Sequence, residues 1–173
     1  MNKAISNSII RFFLLWAIQI FVLRQISWGW DGETYLLVHL YPLFILLLPF
    51  NTPRLVVLLL GFMLGLSVDW IYHTWGIHAS ALVFTAYIRD FVFRVLTPRE
   101  GYSVKDLPTK ASLGDLWFFK YASFMLLFHL LFYFSIEAFT FVYFKSILLK
   151  LLFSWLGSMF FILLGIYIIN PKA

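Results

Sequence analysis

The chain has 173 residues, of which 62% are hydrophobic and only 12% are charged, and its mean hydropathy is +0.90. A soluble domain of this length needs much more polar surface, so we expect the lipid bilayer to be its solvent. The absence of cysteine excludes disulfides, thiolate metal sites and cysteine nucleophiles. The net charge of +5 comes from basic residues that form no compact run, so the composition does not favour binding to nucleic acid.

Six apolar stretches predict six transmembrane helices, because each is close to the length that a hydrocarbon core of ~30 Å requires. They cover residues 9–26, 35–50, 55–73, 77–96, 117–137 and 146–169. The first follows a charged start like that of a signal peptide but lacks a small-residue cleavage site, so we expect an uncleaved helix. The second is the shortest and contains Pro42 and Pro49, which predicts a kinked or tilted helix. The sequence therefore predicts one all-α membrane domain over residues 1–173, built as a compact bundle of six helices.

The distribution of basic residues predicts the orientation of this bundle. With the N-terminus in the cytoplasm, the cytoplasmic side receives Lys3, Arg11, Arg54, Arg94, Arg99, Lys105, Lys110, Lys120 and Lys172. The opposite side holds mainly Arg24 and Lys145, with three acidic residues nearby. The positive-inside rule then predicts a multi-pass protein with both termini in the cytoplasm. The loop of residues 97–116 faces the cytoplasm in this arrangement, as a linker or as a docking loop, because it is too short to form a core of its own.

The third stretch carries the pattern Gly61-x3-Gly65-x3-Asp69. Residues four apart lie on the same face of a helix, so the two glycines and the carboxylate share one stripe. Small residues on such a stripe let another backbone come close, and an acid inside a bilayer needs a polar partner. The pattern indicates a surface for helix packing or for binding a partner protein.

The residues after Asp69 suggest how that carboxylate is satisfied. His73 lies one turn later, and His78 lies just beyond Gly76, which is the turn signal of a tight reversal between the third and fourth helices. Asp69 either secures this reversal by accepting hydrogen bonds from backbone amides or His73, or it contacts a partner. The same three side chains suit zinc by type, but no further acid or thiol completes a ligand set, so we expect no metal site.

The fourth stretch ends in a charged cluster of Arg89, Asp90 and Arg94. Asp90 and Arg94 are four residues apart and are expected to pair with each other. Arg89 lies deeper and is the better candidate for a polar contact between helices. We interpret His39 and His129, both within apolar stretches, as hydrogen-bonded core residues rather than parts of a proton path.

Motifs of catalysis are missing from the chain. It contains no Gly-x-Ser-x-Gly, no His-Glu-x-x-His, no phosphate-binding loop and no pair of intramembrane carboxylates at helical spacing. We therefore expect a protein that is not an enzyme and that needs no cofactor.

The sequence from Gly61 to Asp69, followed by Gly76 and the small-residue run His78-Ala-Ser-Ala-Leu, resembles the rod shape-determining protein MreD family. The length, the six predicted spans and the nearly loop-free membrane body agree with that family. The resemblance implies a fold similar to the substrate-binding subunits of energy-coupling-factor vitamin transporters. It also implies a lipid-embedded, non-enzymatic subunit of the bacterial elongation machinery in the cytoplasmic (inner) membrane. The partners it implies are MreC, the cytoskeletal protein MreB, and the glycosyltransferase and transpeptidase that build lateral peptidoglycan.

Two functions are compatible with this resemblance. In the first, the chain controls cell shape as a scaffold, and the face of Gly61, Gly65 and Asp69, or the adjacent turn, docks a single-span partner such as MreC. In the second, the chain is a transport subunit that binds a vitamin-like molecule in an outward pocket lined by aromatic residues. Subunits of the second class usually carry small residues at four-residue spacing in their first span, whereas this span is bulky nearly throughout, which favours the scaffold.

Overall fold

A computed structural model describes residues 3–99, 101–102, 107–139 and 143–169, with side chains from residue 7 to residue 167 within those ranges. The side chain of Lys3, together with Lys105 and Lys172, lies outside the described residues. Residues 100 and 103–106 of the predicted loop 97–116, and both ends of the chain, also lie outside them.

The chain is mostly helical, with one β-hairpin near its start. In chain order the elements are α1 (Lys3–Phe21), a short 3₁₀ turn (Leu23–Gln25), β1 (Ser27–Trp30), β2 (Glu33–Leu37), α2 (Leu43–Leu46), α3 (Arg54–Tyr72), α4 (Ile77–Val95), α5 (Lys110–Leu113), α6 (Asp115–Ala138) and α7 (Phe144–Ile169). The two strands are antiparallel, and their turn is formed by Asp31 and Gly32, whose φ angles of 52° and 78° suit a tight hairpin. The hairpin is the part of the fold that the all-α prediction did not include.

Within the described chain, four helical segments are long and apolar enough to cross a membrane, which indicates a membrane protein. They are Asn7–Gln25, Arg54–Tyr72, Asp115–Ala138 and Phe144–Tyr167. Helix α4 has the same length of 19 residues as α3, but it is more polar because it contains Arg89, Asp90 and Arg94.

The prediction of a helix over residues 35–50 is wrong. This stretch begins within β2, continues as irregular chain and contains only the four-residue helix α2. Pro42 disfavours helix in the residue before it, and a second proline follows at position 49. A short apolar run reports burial rather than helix, and all residues from Val38 to Leu48 are indeed buried.

Residues 38–49, which we call the crossing segment, pass through the middle of the bundle. His39 lies near His78 at the start of α4, whereas Leu48 contacts Arg89 near the end of α4. These two contacts on α4 are eleven residues, or ~16 Å, apart along the helix axis. The crossing segment therefore spans the bundle as mostly irregular chain, where the sequence predicted a transmembrane helix.

The long helices pack in chain order around the crossing segment, with α3 against α4, α4 against α6, and α6 against α7. The hairpin lies on α7 at one end of the bundle, which also carries the turn between α3 and α4. We call this the hairpin end, and the opposite end, with residues 97–102 and 107–114, the loop end. Helices α3 and α4 end within one residue of the bounds expected from the sequence.

Candidate functional site

The two glycines of the α3 stripe face α4 of the same chain. A Cβ atom on Gly65 would lie only 2.7 Å from the amide nitrogen of Ala79 and 2.8 Å from the carbonyl oxygen of His78. A Cβ atom on Gly61 would lie 3.2 Å from the carbonyl oxygen of Leu82. Because α4 occupies this face, Gly61 and Gly65 serve internal helix packing and present no surface to another protein. The two glycines therefore cannot dock a partner directly, whereas Asp69 and the adjacent turn line an open concavity.

Asp69 caps the start of α4 from the neighbouring helix. Its Oδ1 accepts hydrogen bonds from the His78 amide at 3.0 Å and the Thr74 hydroxyl at 2.5 Å, and its Oδ2 accepts one from the Ala79 amide at 2.8 Å. The N-cap residue of α4 is Gly76, which has no side chain to accept from these amides. Asp69 thus supplies the missing cap, and the negative carboxylate suits the positive end of the helix dipole.

The imidazoles that the sequence suggested as donors to Asp69 have other positions. The backbone amide of His73 caps α3 by donating to the Asp69 carbonyl, while its side chain is exposed. The His78 imidazole points into the core and contacts Tyr41. Of the two predicted ways to secure the turn, the structure therefore uses backbone amides, with the Thr74 hydroxyl as a further donor.

The turn between α3 and α4 forms an exposed aromatic edge. His73 and Gly76 both have positive φ angles, of 56° and 85°, and they reverse the chain within four residues. Trp75 at the tip is fully exposed, and Trp70 is 81% exposed. Beside them lies a concavity of about 640 Å³ lined by Leu66, Asp69, Trp70, His73, Thr74, Trp75 and Gly76. This concavity brings together Asp69, His73 and Gly76 of the residues predicted from sequence.

A cluster of three buried imidazoles around one phenol lies below this turn. The Tyr41 hydroxyl is 2.8 Å from His78 Nδ1 and 3.0 Å from His129 Nε2, and His39 Nδ1 is 3.4 Å from the same His129 nitrogen. We call His39, Tyr41, His78 and His129 the imidazole cluster. It joins the crossing segment to α4 and α6, which agrees with the interpretation of His39 and His129 as hydrogen-bonded core residues.

Side chains from α1 and α7 hold the backbone of the crossing segment. Gln19 accepts from the Leu40 amide at 2.8 Å and donates to the Val38 carbonyl at 2.9 Å. On the other side, the hydroxyl of Ser158 accepts from the His39 amide at 2.8 Å. Extended chain inside a membrane protein has no water to bind its polar groups, so partners of this kind are required.

Arg89 holds the other end of the crossing segment. Its side chain is only 1% exposed, and its Nη2 donates to the carbonyls of Leu48 and, at 3.2 Å, Pro49. The guanidinium also lies 4.5 Å from the centre of the Phe93 ring. Nearby, the Tyr121 hydroxyl donates to the Leu46 carbonyl at 3.2 Å. The contact of Arg89 is thus with the crossing segment rather than with the side chains of another helix.

The predicted ion pair between Asp90 and Arg94 is not formed. Arg94 donates to the backbone carbonyl of Asp90 at 3.3 Å, whereas the Asp90 carboxylate lies 4.0 Å from Arg54 of α3. The guanidinium of Arg54 also stacks over Tyr87, 4.5 Å from its ring centre. The close packing of α3 and α4 brings Arg54 near Asp90, which a pattern along one helix does not reveal.

A second charged cluster joins the hairpin to α6 and α7. Lys150 lies 3.5 Å from Glu33 and 3.6 Å from Glu137, beside a cavity of about 220 Å³. These contacts tie the end of the hairpin to the bundle. Among the described residues, no group of three histidine, cysteine or acidic side chains is arranged to hold a metal ion.

Sequence reasoning missed the convergence of the core polar residues. Gln19, Tyr41, Ser154 and Ser158 are single polar residues in apolar stretches, which is the usual signal of a buried contact. Gln19 and Ser158 bond to the crossing segment, which contains Tyr41, and Ser154 bonds to Tyr35 and Leu37 of β2 just before it. These contacts were hidden because residues 35–50 were assigned to a helix.

Comparisons of this chain with models of protein families, with curated proteins and with solved structures gave no match.

Proposed function

We propose that this protein is a non-enzymatic subunit of the bacterial elongation machinery, which controls cell shape and lateral peptidoglycan synthesis by binding MreC. In this proposal it lies in the cytoplasmic membrane with both termini in the cytoplasm, so the hairpin end faces outward. MreB and the glycosyltransferase and transpeptidase join the same assembly. The sequence resemblance to the MreD family is the starting point of the proposal.

The exposed turn between α3 and α4 is the observation that carries the assembly role. It presents Trp70 and Trp75 beside an open concavity, and the cap formed by Asp69 keeps the turn in one shape. Exposed tryptophans at a membrane interface anchor a helix, and tryptophan is also one of the residues enriched in the hot spots of protein interfaces. A single-span partner that leaves the membrane here would contact both indoles.

The interior gives less support to the vitamin-transport alternative. The space between the helices is filled by the crossing segment and the imidazole cluster, whose members are all buried. The polar cavity beside Lys150, at about 220 Å³, is smaller than the ~300–1,000 Å³ typical of small-molecule sites. Along the described chain, two hollows fall within that range, one of about 460 Å³ beside Phe12 and Phe44 and the concavity of about 640 Å³ beside Trp70 and Trp75, but both are open at the surface rather than enclosed. An assembly surface therefore fits the described residues better than a ligand pocket.

Copurification of MreC with substituted forms of the protein tests the proposal. We expect the double substitution Trp70→Ala and Trp75→Ala to reduce recovered MreC about tenfold or more, since such anchors typically contribute ~2 kcal/mol or more to an interface. The control is Trp28→Ala, because Trp28 is also exposed at the hairpin end but lies on the hairpin. Equal recovery of MreC with the double substitution and the control would reject the turn as the binding surface.

Depletion in the native host separates the two functions. Loss of a scaffold of the elongation machinery should make rod-shaped cells round up, and added nutrients should not restore them. Loss of a vitamin transporter should slow growth in a way that the vitamin itself corrects. Tight binding of a vitamin to the purified protein, without rounding on depletion, would replace the proposed function by the alternative.

A further inference from the structure

The imidazole cluster is the largest polar feature that the proposed function leaves unexplained. Its four side chains come from three parts of the chain: His39 and Tyr41 from the crossing segment, His78 from α4 and His129 from α6. All four are buried. Such a cluster is stable only if its hydrogen atoms and lone pairs match.

The positions of the protons follow from Thr85. Its hydroxyl donates to the Ala81 carbonyl at 2.7 Å, so the same oxygen accepts from His129 Nδ1–H at 2.8 Å. In neutral His129 the other nitrogen, Nε2, then carries a lone pair and accepts a hydrogen bond from Tyr41 or His39.

Neutral imidazoles complete this arrangement. With Tyr41 donating to His129, the Tyr41 oxygen accepts from His78 Nδ1–H. The reverse arrangement, in which Tyr41 donates to His78 and His39 donates to His129, is less favourable, because the Tyr41 oxygen would then face the lone pair of His129 Nε2 at 3.0 Å. Either way, His78 Nε2 is buried and has no hydrogen-bond partner among the described residues. With Tyr41 donating to His129, the three rings can therefore all be neutral, and His78 Nε2 carries an unpaired lone pair rather than an unpaired N–H group.

An added proton on His39 or His129 would create a buried cation whose ring makes no hydrogen bond to an acid among the described residues. Asp69 of α3 is the nearest acid, and its carboxylate already accepts three hydrogen bonds. Glu137 of α6 is paired with Lys150 of α7. The other titratable groups facing the cluster are phenols, Tyr72 of α3 and Tyr133 of α6. On α1 the facing polar side chain is the neutral Gln19.

Protonation of a histidine therefore favours a state in which the imidazole cluster is open to water. An unpaired buried charge is strongly unfavourable, so the proton is taken up more readily when the rings reach water. Where His39 carries its proton on Nδ1, a second proton on His129 would also place two N–H groups against each other across 3.4 Å.

The loop end of the crossing segment does not share this sensitivity. Arg89 holds the carbonyls of Leu48 and Pro49, and arginine stays protonated at every physiological pH. The two ends of one buried segment are thus held by groups with different responses to acid.

We propose that the imidazole cluster is a proton-operated latch, which holds residues 38–41 against α4 and α6 when its histidines are neutral and releases them when a histidine is protonated. Residues 46–49 stay anchored by Arg89 during this release. The closed latch is stable above the ordinary histidine pKa of ~6.5 and weakens as the pH falls below it. The latch does not depend on the proposed assembly with MreC.

The absence of cysteine in the chain allows a direct test by thiol labelling. Single cysteines are introduced into the full-length protein at Leu40 and Leu46, which are both buried, and at Trp75, which is fully exposed. A water-soluble maleimide is then reacted with each variant in detergent at pH 7.5 and pH 5.5. The Trp75→Cys rate corrects for the effect of pH on the thiol reaction itself.

We expect the corrected labelling of Leu40→Cys to rise about tenfold between these pH values, as opening linked to one ordinary histidine requires. Labelling of Leu46→Cys should not change. Equal labelling of Leu40→Cys at both pH values would overturn the latch. A parallel rise at Leu46→Cys would overturn it as well, because it would show general unfolding.

Histidine substitutions identify the groups responsible. His78→Asn keeps a polar atom near the position of Nδ1, and His129→Gln keeps one near Nε2, but neither side chain can take up a proton in this pH range. In the Leu40→Cys protein, these two changes combined with His39→Asn should reduce the pH response to about twofold or less, because no titrating ring of the cluster then remains. The control is His73→Asn, since His73 is exposed and outside the cluster, and it should keep the full response. An undiminished response in this triple substitution would assign the pH effect to other groups and reject the latch.

Discussion

Gly65 and Ala79 are in backbone contact across the α3–α4 interface. A Cβ atom on Gly65 would meet the amide nitrogen of Ala79 at 2.7 Å and its Cα atom even closer. Ala79 donates that amide to Asp69, one turn further along α3 from Gly65. Gly65 allows the backbones of α3 and α4 to come close, and Asp69 accepts the hydrogen bond from the Ala79 amide at that point. Both residues of the stripe therefore contact the same residue of α4.

Substitution of Gly65 by alanine should therefore destabilise the protein. The added methyl group would force apart two backbones, and overpacking of this kind typically lowers the free energy of unfolding by ~1–3 kcal/mol. Gly61→Ala is the matched control, because its Cβ atom would lie 3.2 Å from one carbonyl oxygen and a small shift relieves the contact. Thermal unfolding in detergent should show a clear decrease in Tm for Gly65→Ala and little change for Gly61→Ala. The opposite order would contradict the described packing.

The sequence predicted which face of α3 is packed, but not that α4 packs against it. Gly61, Gly65 and Asp69 are spaced four apart, and that spacing defines one helix face whatever the helix contacts. Spacing does not say whether the partner is the next helix or another protein. The turn at Gly76 placed α4 next to α3, which makes α4 the nearest candidate, but the distance to Ala79 had to come from the structure.

Replacement of Asp69 by alanine should weaken the start of α4. The amides of His78 and Ala79 and the hydroxyl of Thr74 would lose their acceptor, and each buried donor left unpaired costs about 1–3 kcal/mol. Asp69→Asn should cost less, because one amide oxygen can still accept from α4. Hydrogen exchange of the first turn of α4 measures the effect locally, and both variants should exchange faster there than the unsubstituted protein. An unchanged exchange rate in Asp69→Ala would mean that the cap is not needed.

Replacement of Asp90 by asparagine should have almost no effect on stability. Its carboxylate is 4.0 Å from Arg54, and both side chains are about half exposed. Pairs of this kind contribute roughly 0–1 kcal/mol, because water and salt screen the charges. The Tm of Asp90→Asn should therefore lie close to that of the unsubstituted protein, which makes the variant a control for Asp69→Asn. A loss as large as that of Asp69→Asn would show a role for Asp90 beyond this exposed pair.

The crossing segment marks the limit of what the sequence could predict. Residues 35–50 are apolar enough for a membrane helix, and hydropathy measures where a residue lies rather than its backbone conformation. The polar residues that make irregular chain tolerable there, such as Gln19 and Ser158, are far away in the sequence. Only the fold brings them together, so neither the segment nor its imidazole cluster was predictable from spacing.

Arg89 offers a test of whether the crossing segment has two separate anchors. Arg89→Met keeps a long apolar side chain but leaves the carbonyls of Leu48 and Pro49 without their donor, at a cost of about 1–3 kcal/mol for each buried acceptor. At pH 7.5 we expect maleimide labelling of Leu46→Cys to increase in this background, while Leu40→Cys stays protected by the neutral imidazole cluster. Arg94→Met is the control, because Arg94 lies on the same helix with an exposed side chain. If Arg89→Met exposed both cysteines equally, the segment would be held as one unit, and acid acting at the cluster would release all of it rather than residues 38–41 alone.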